Sequence, residues 1–245
     1  MMMYICNGYD KLRCGTCGGG KPHKHSTIPT PVTCERTRNK VVCIPVDCLL
    51  PDYLFRIDGM EHKTERMLGL LEKQLSKCRK CDIHINGQVK PFWTPDYKGM
   101  AIVSEAPGRE DVNNNTPFSC TDNILMEVLS KYDIHRDHCF IINTVNCRPV
   151  EGLKNRNPSA LEMEMCKPWM NKYFGVLKPK KVLLLGNHAL GSILGESGVV
   201  SKNNTTTVVN GITYVRSVHP AYAIYNRSSG LQMLENSVKS FAEAE

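Results

Sequence analysis

Four short runs of apolar residues follow one another in the part of the chain after residue 99. They span residues 100–104, 139–145, 181–185 and 212–218, and each leads into a polar residue or Gly. Apolar runs of this length are typical of strands whose two faces are both buried. The pattern therefore predicts four buried strands.

Apolar residues also recur at helical spacing before and between these strands. The predicted helices cover residues 61–76, 122–131, 159–176, 188–194 and 230–242, while residues 203–207 are predicted as a short polar loop. Buried strands that alternate with helices imply a parallel sheet with helices on both faces. The predicted fold class is therefore α/β, a three-layer αβα sandwich with a central four-stranded parallel sheet.

The first 60 residues differ from the rest of the chain. They contain six of the twelve cysteines, and their apolar residues show no helical period. We therefore predict a Cys-rich N-terminal extension, residues 1–60, followed by a main domain, residues 61–245. The whole chain carries 31 Lys or Arg against 24 Asp or Glu, a net charge of +7, which permits a nucleic acid partner without establishing one.

The cysteines favour metal binding. The N-terminus has no signal-peptide core, and no stretch approaches the roughly 18 apolar residues of a membrane span. We therefore expect an intracellular, cytoplasmic protein without a membrane partner, in which thiols stay reduced. Two C-x2-C pairs begin at Cys14 and Cys78. The extension is either dispensable or a zinc module, whose candidate ligands are Cys6, Cys14, Cys17 and Cys34, with His23 or His25 as further candidates.

Polar residues follow three of the predicted strands at the place where open α/β sheets bind ligands, beyond the carboxyl ends. The first strand leads into Glu105, the second carries Asn143, and the fourth is followed by His219. A carboxylate, an amide and an imidazole at neighbouring strand ends could converge on one pocket. Each of them alone is more often an ordinary turn or surface residue. The third exit, Gly186-Asn187-His188, is interpreted as a plain strand-to-helix turn.

The order of these motifs resembles the iron–sulfur uracil-DNA glycosylases, family 4 of the uracil-DNA glycosylase superfamily. The matching elements are Glu-Ala-Pro-Gly from Glu105, Pro-Phe at Phe118, Asn-x3-Cys-Arg-Pro from Asn143, a further cysteine at Cys166, and His-Pro-Ala-Tyr from His219. The resemblance extends from residue 70 to about 239. It implies an enzyme that flips uracil out of DNA and hydrolyses its N-glycosidic bond, the first step of base excision repair.

Two other functions stay open beside this one. The first is a protein of the same fold that has lost catalysis and binds uracil-containing or damaged DNA. The second is a glycosylase-like enzyme that acts on a 5-modified pyrimidine. In each case the implied partner is DNA, single- or double-stranded, and because the sequence gives no dimer signal we expect a monomer.

The resemblance also implies a cofactor. The family binds a [4Fe–4S] cluster with four cysteines, which match Cys78, Cys81, Cys147 and Cys166. Four thiolates suit a cubane cluster, and they also suit structural zinc, which is the rival occupant. We expect the cluster to be structural and to tie the first predicted helix to the segment after the second strand. Cys120 and Cys139 are expected to be ordinary buried thiols.

The family's base-binding residues can be matched one by one. Phe118 matches the aromatic residue that stacks on the flipped base, Asn143 the amide that binds the polar edge of uracil, and His219 the donor near uracil O2. Glu105 matches an acidic residue that either positions water or orders its loop. The implied catalytic residues are Glu105, Asn143 and His219, and the implied substrate-binding residues are Ala106, Pro107, Gly108, Asp111 and Phe118.

The chain departs from the family pattern on the expected pocket wall. Ser104 stands where the family usually has Gly, and Asp111 stands where it has a glutamate packed near the base. Because aspartate is one methylene shorter, room could remain at C5 of the base for a 5-substituted uracil. Plain uracil is the alternative that we favour.

Contacts to DNA are expected to involve phosphates and to be sensitive to salt. The candidate basic residues are Arg148, Lys154, Arg156 and Arg227. After His-Pro-Ala-Tyr the family usually has aliphatic and basic residues that enter the DNA beside the flipped base. Ile224 or Tyr225 takes this place here, with a core position as the alternative for Ile224.

Overall fold

The structure is a computed structural model that describes residues 32–33, 40–41, 52–119 and 124–244, with side chains described from Lys63 onward. The predictions that concern Cys6, Cys14, Cys17, Cys34 and Cys120 therefore lie outside the described residues.

The chain divides into two compact units, Met1–Lys63 and Thr64–Glu245. In the first unit, β1 (Val32–Thr33) and β2 (Lys40–Val41) form an antiparallel pair. Helix α1 (Asp52–Leu75) begins in the first unit and ends in the second, so it starts earlier than the helix predicted from residue 61.

The second unit contains most of the described secondary structure. Its strands are β3 (Met100–Ser104), β4 (Cys139–Asn143), β5 (Val150–Glu151), β6 (Lys154–Asn155), β7 (Lys181–Leu185), β8 (Thr206–Val209) and β9 (Ile212–Ser217). Its helices are α2 (Arg109–Asn114), α3 (Ile124–Ser130), α4 (Ala160–Leu177), α5 (Gly186–Leu194), α6 (Pro220–Tyr225) and α7 (Arg227–Glu243).

Five of these strands form the central sheet in the order β4-β3-β7-β9-β8. The first four run parallel, which confirms the predicted four-stranded parallel sheet. The fifth strand, β8, pairs antiparallel with β9, so the prediction of a plain polar loop over residues 203–207 is wrong at Thr206 and Thr207. Threonine is β-branched and fits an edge strand that has one exposed face, which explains the difference.

Helices cover both faces of the sheet, as predicted. Along β3, Ala101 and Val103 pack into one core cluster with side chains of α1, α4 and α5. The alternate residues Met100 and Ile102 pack into a second cluster with side chains of α3 and α7. Because successive residues of a strand face opposite sides, this alternation confirms the three-layer αβα sandwich.

The strand order determines where a ligand can bind. In the sheet, β4 lies on one side of β3, and β9 lies on the opposite side of β7. The chain therefore proceeds towards opposite edges of the sheet from these two neighbouring strands, and the strand order reverses between β3 and β7. Open α/β sheets bind ligands beyond the carboxyl ends of the strands at such a point. The polar strand exits predicted from the sequence meet at this edge.

Candidate active site

A cleft opens at the carboxyl edge of the sheet, and its empty space, including open solvent at its mouth, is about 640 Å³. It brings together three residues that are far apart in the sequence, namely Phe118, Asn143 and His219, together with Asp111. The lining residues are Ser104, Ala106, Gly108, Asp111, Phe118, Asn143, Asn155 and His219. The predicted residues Glu105 and Pro107 do not belong to this lining.

Asn143 ends β4 with its side chain in the cleft, and only 5% of the residue is exposed. Its amide makes no hydrogen bond within the described part of the chain. A buried amide normally has partners, since an unpaired donor or acceptor is costly. An amide that lines a cleft without a protein partner can offer both a donor and an acceptor to a ligand.

His219 is the N-cap of α6, and its Nδ1 accepts a hydrogen bond from the backbone N–H of Ala221 at 3.1 Å. Its Nε2 lies 3.1 Å from the hydroxyl oxygen of Ser104. Burial lowers the pKa of His219, which favours the neutral ring. Because Nδ1 accepts, the neutral ring carries its hydrogen on Nε2, the nitrogen that lines the cleft beside Ser104.

The position of His219 depends on a glycine that follows the neighbouring strand of the sheet, β7. Gly186 follows β7 directly and has a positive φ of 86°. A Cβ atom at this position would lie 3.3 Å from the Cβ of His219, so a larger residue would be both strained and crowded.

Phe118 has a backbone conformation that non-glycine residues rarely adopt, with φ of 51°. Its carbonyl accepts from Arg136 at 3.3 Å, and that of Pro117 accepts from the same guanidinium at 2.6 Å. Arg136 lies in turn over the ring of Phe92, 4.1 Å from its centroid. The Phe118 ring is 6.4 Å from the ring of His219 at an interplanar angle of 30°. A strained residue held by a dedicated cation and lining a cleft is typical of a functional position.

Asp111 joins two walls of the cleft. One carboxylate oxygen accepts from the backbone N–H of Gly108 at 2.9 Å, and the other accepts from the backbone N–H of Ser119 at 2.9 Å. Both carboxylate oxygens are therefore engaged by backbone amides of the protein. This arrangement holds the loop after β3 against the segment that carries Phe118.

Glu105 lies beside the cleft and pairs with His188, whose Nδ1 is 2.9 Å from the carboxylate. The backbone carbonyl of Glu105 accepts from the hydroxyl of Thr144 at 2.6 Å, which ties the loop after β3 to the exit of β4. Both ionisable groups act on His219: Glu105 raises its pKa and His188 lowers it. Residues 186–188 do lie at the predicted passage from strand to helix, but the start of α5 also delivers His188 to Glu105, a contact that the sequence did not reveal.

The short hairpin β5–β6 supplies a cleft residue that the sequence did not reveal, Asn155. The Arg148 side chain donates to the Asn155 amide oxygen at 2.6 Å and to the carbonyl of Leu153 at 3.4 Å. Leu153 lies at the tip of the hairpin and is 84% exposed. A two-residue strand has no detectable period in a sequence, so only the Arg-Pro motif before it pointed to this region.

The residues predicted to contact DNA lie in different surroundings. Ile224 and Tyr225 are 50% and 86% exposed at the end of α6, and Arg227 is exposed at the start of α7. Arg156 instead makes two hydrogen bonds to the carboxylate of Glu162, at 2.6 and 2.9 Å, which lower the pKa of Glu162 to about 2. Arg156 is thus already neutralised by a partner.

A second cavity is lined by all four cysteines predicted to bind the cluster, Cys78, Cys81, Cys147 and Cys166. Cys78 follows α1, and its backbone N–H donates to the carbonyl of Leu75 at 2.8 Å. The helix therefore ends beside this cavity, as predicted. Cys147 lies four residues after Asn143, and α4 carries Cys166. Cys139, by contrast, is fully buried in the core and away from this cavity, as expected.

Nitrogen donors surround the sulfurs of this cavity. Trp169 Nε1 donates to Cys78 at 3.4 Å, and Gln88 donates to Cys147 at 3.8 Å. Asn146 donates to Cys166 from its backbone at 3.4 Å and from its amide at 3.5 Å. Donors of this kind stabilise thiolates and are typical of sulfur ligands of metals.

Burial raises the pKa of Cys147 to about 12 and that of Cys166 to about 11, and the neighbouring cysteines add to both shifts. Clustered cysteine thiols are groups that a bound cation converts to thiolates. In the described part of the chain, no three His, Cys, Asp or Glu side chains are close enough to hold a metal ion as placed. The donor set itself fits a metal centre of thiolate ligands.

Among the described residues, no helix is both long and apolar enough to cross a membrane.

Comparison with known proteins agrees with the geometry of the cleft. Residues 92–244 match the family model of the uracil DNA glycosylase superfamily. A type-4 uracil-DNA glycosylase of Thermotoga maritima is 28% identical over 191 residues, which cover 74% of this chain and 97% of the relative. One of Sulfurisphaera tokodaii is 26% identical over 190 residues, 72% of this chain and 84% of the relative.

A type-4 uracil-DNA glycosylase of Pyrobaculum aerophilum is 34% identical over 121 residues, 49% of this chain, and the match spans only 60% of that relative's length. The family model, however, covers well over half of the chain. The chain therefore belongs to the uracil DNA glycosylase superfamily.

Proposed function

We propose that this protein is a uracil-DNA glycosylase that flips uracil out of DNA and hydrolyses the bond between N1 of the base and C1′ of the sugar. The observation that carries the proposal is the amide of Asn143, a residue only 5% exposed, which lines the cleft with Phe118 and His219 and has no partner within the described residues. The names of the relatives agree with this activity.

Base recognition follows from these three side chains. The ring of Phe118 offers a face on which the flipped base stacks. The Asn143 amide donates to O4 of uracil and accepts from N3–H. Cytosine presents a donor and an acceptor in the reverse order, so a fixed amide excludes it. Nε2–H of His219 is the remaining donor and serves O2.

The reaction separates charge. When the glycosidic bond breaks, its electron pair leaves with N1, so uracil departs as an anion and C1′ becomes an oxocarbenium ion. A water molecule adds its oxygen to C1′ and gives up one proton, which leaves an abasic sugar. Donors aimed at the departing oxygen stabilise this charge more than they stabilise the substrate, and this difference accelerates the reaction. We assign Glu105 the ordering of its loop through the ion pair with His188.

We further propose that Cys78, Cys81, Cys147 and Cys166 hold a [4Fe–4S] cluster with a structural role. Their shared cavity and the nitrogen donors around the sulfurs support this proposal. Bound there, the cluster would supply cross-links between α1, the exit of β4 and α4. The expected content is about four iron and four sulfide per chain, and zinc in their place would contradict it. A zinc site in residues 1–60, a monomeric state and a cytoplasmic location stay predictions.

The substrate partner follows from the same proposal. The exposed residues Ile224, Tyr225 and Arg227 support a DNA contact beside the cleft, with Ile224 or Tyr225 as the side chain that enters the helix. Arg148, which precedes the hairpin, and Lys154 on the hairpin are candidate phosphate contacts, whereas Arg156 is less suited because Glu162 already binds it.

A 5-substituted uracil is the second candidate substrate. Both carboxylate oxygens of Asp111 bond to backbone amides of the protein, which holds this shorter acidic side chain against the wall of the cleft. Release of 5-hydroxymethyluracil from matched duplexes would support this substrate, and release of uracil alone would exclude it.

The test is the release of uracil from single-stranded DNA by the full chain, detected as alkali-labile abasic sites. We expect Asn143→Ala to lower the single-turnover rate by about 10²-fold while DNA affinity changes little. Asn236→Ala, at an exposed asparagine of α7, is the matched control and should react like the wild type. Tight DNA binding without any product would favour a binding protein that has lost catalysis.

A further inference from the structure

Ser104 lies beside the imidazole of His219 in the cleft. It is the last residue of β3, lines the cleft and is only 1% exposed. Its hydroxyl oxygen lies 3.1 Å from Nε2 of His219. Glycine, which the resembling family usually has at this position, could not supply this hydroxyl, so the contact is a property of this chain.

The hydrogen-bond directions leave the hydroxyl hydrogen of Ser104 without a partner. Because Nδ1 of His219 accepts from Ala221, the neutral ring donates from Nε2, and the Ser104 oxygen accepts. The Ser104 side chain makes no other hydrogen bond within the described residues. A hydroxyl group rotates freely enough to direct its hydrogen towards a ligand. The buried hydroxyl can therefore donate into the cleft.

We propose that Ser104 and His219 form a two-donor site for O2 of the departing base, with Ser104 as a catalytic residue. This inference rests on the proposed function. Two donors 3.1 Å apart can share one acceptor that lies about 3 Å from each, a geometry that ordinary hydrogen bonds allow. In the free protein Ser104 accepts the Nε2–H hydrogen. On binding, the Ser104 hydroxyl turns its own hydrogen to O2, and the Nε2–H, whose direction the ring fixes, is shared between the Ser104 oxygen and O2.

The two donors act on the bond-breaking step. As the electron pair of the C1′–N1 bond moves onto the base, negative charge grows on O2, and the O–H and N–H groups stabilise it without transferring their protons. The proton that the attacking water releases neutralises the uracil anion after it leaves. Removal of one such donor from an oxyanion site typically lowers the rate by about 10²–10³-fold.

The experiment compares two leaving groups under single-turnover conditions with saturating protein. Uracil and 5-fluorouracil are placed in the same single-stranded oligonucleotide. Fluorine withdraws electrons, so the 5-fluorouracil anion needs less stabilisation from the protein. We expect Ser104→Ala to slow uracil release by about 10²-fold and to slow 5-fluorouracil release several-fold less. An equal loss on both substrates, or no loss on either, would overturn the proposal.

Two further variants keep the test decisive. Ser104→Gly introduces the residue usual in the family and should give the same difference between the substrates, even if Ser104→Ala misfolds. Ser237→Ala removes a buried hydroxyl of α7 that bonds to Asn203 and Met233, away from the cleft, and should show no such difference. If the wild type releases no uracil, the proposed function itself fails. If the wild type releases uracil and the Ser104 variants release both bases at the wild-type rates, only this inference fails.

Discussion

The cysteine cavity and the cleft are built in opposite ways. Around the cysteine cavity, nitrogen donors from Trp169, Gln88 and Asn146 already engage the sulfurs. In the cleft, the amide of Asn143 has no partner within the described residues, and Phe118 keeps an unfavourable φ of 51°. The protein already engages sulfurs of the cysteine cavity, whereas the cleft leaves the amide of Asn143 for a ligand.

This contrast separates stability from catalysis. Satisfied donors and buried thiols indicate a region whose loss weakens the fold, whereas unsatisfied groups and backbone strain indicate a region where stability is given up for function. Changes at the cysteines should therefore affect unfolding, and changes in the cleft should affect the reaction rate.

The largest effect is expected from Cys166→Ala. Loss of one of the four proposed ligands should release the proposed cluster and, because metal binding is coupled to folding, lower the melting temperature by about 10 °C or more. Iron content, visible absorption and thermal unfolding measure this. Cys139→Ala is the control: this thiol is fully buried and lies away from the cavity, so iron should stay and stability should fall by only about 1 kcal/mol. Equal iron loss in both variants would contradict the assignment.

His219→Ala should leave the fold intact and reduce the rate. Removal of a donor to the departing base is expected to lower the single-turnover rate by about 10²–10³-fold, with little change in DNA affinity. A fluorescence titration measures DNA affinity, and a separate single-turnover assay measures the rate. His135→Ala, at an exposed histidine, should behave like the wild type. Equal losses of rate and affinity in His219→Ala would argue against its role.

Two glycines test how far the cleft depends on packing elsewhere. At Gly230 of α7 a Cβ would lie 2.8 Å from Cα of Ala223 in α6, the helix capped by His219, whereas at Gly175 of α4 it would meet nothing within 4 Å. We expect Gly230→Ala to destabilise the protein by about 1–3 kcal/mol. Gly175→Ala should stabilise it by about 0.5–1 kcal/mol. Denaturant unfolding measures the change in the free energy of unfolding for both variants. A change of the same sign in both would contradict the close approach of α6 and α7.

The smallest effect concerns pH. Since burial lowers the pKa of His219 below 6.5, the ring stays neutral and the rate should be flat from pH 7 upward, falling only below pH 6.5. The unfolded chain gains the proton first as pH falls, so the stability contributed by the neutral ring is present above pH 6.5 and decreases from there towards the lowered pKa of the folded state.

Variants of Glu105 and His188 should shift the pH dependence of the rate in opposite directions. Glu105 raises the pKa of His219 and His188 lowers it. Glu105→Gln should therefore move the acid limb of the rate profile to lower pH, and His188→Ala should move it to higher pH. Shifts in the same direction would show that these residues act on the rate by another route.

The fold could be predicted largely because its strands are apolar on both faces. The bounds of β3 and β7 agree with the prediction residue for residue, since both strands are apolar along almost their whole length. Helices α2 and α6, of six residues each, were missed because they are too short to show a period.

The site residues that belong to a sequence motif could be predicted. Those that reach the site only through tertiary contacts could not. Asn143 and His219 stand at strand ends, and the sheet brings them together. The ion pair of Glu105 with His188 depends on β3 lying beside β7, which no local pattern reveals. The guanidinium of Arg136 reaches Phe118 across 18 residues, so its role is likewise visible only in three dimensions.

Asn143 ends β4, and Cys147 follows it by four residues. If the proposed cluster holds Cys147 in place, it also fixes the base-binding amide four residues earlier. A sample in which only some molecules carry iron would then be a mixture of competent and incompetent molecules. Its reaction amplitude in a single turnover would follow the iron content, while the rate constant of the reacting fraction would stay the same.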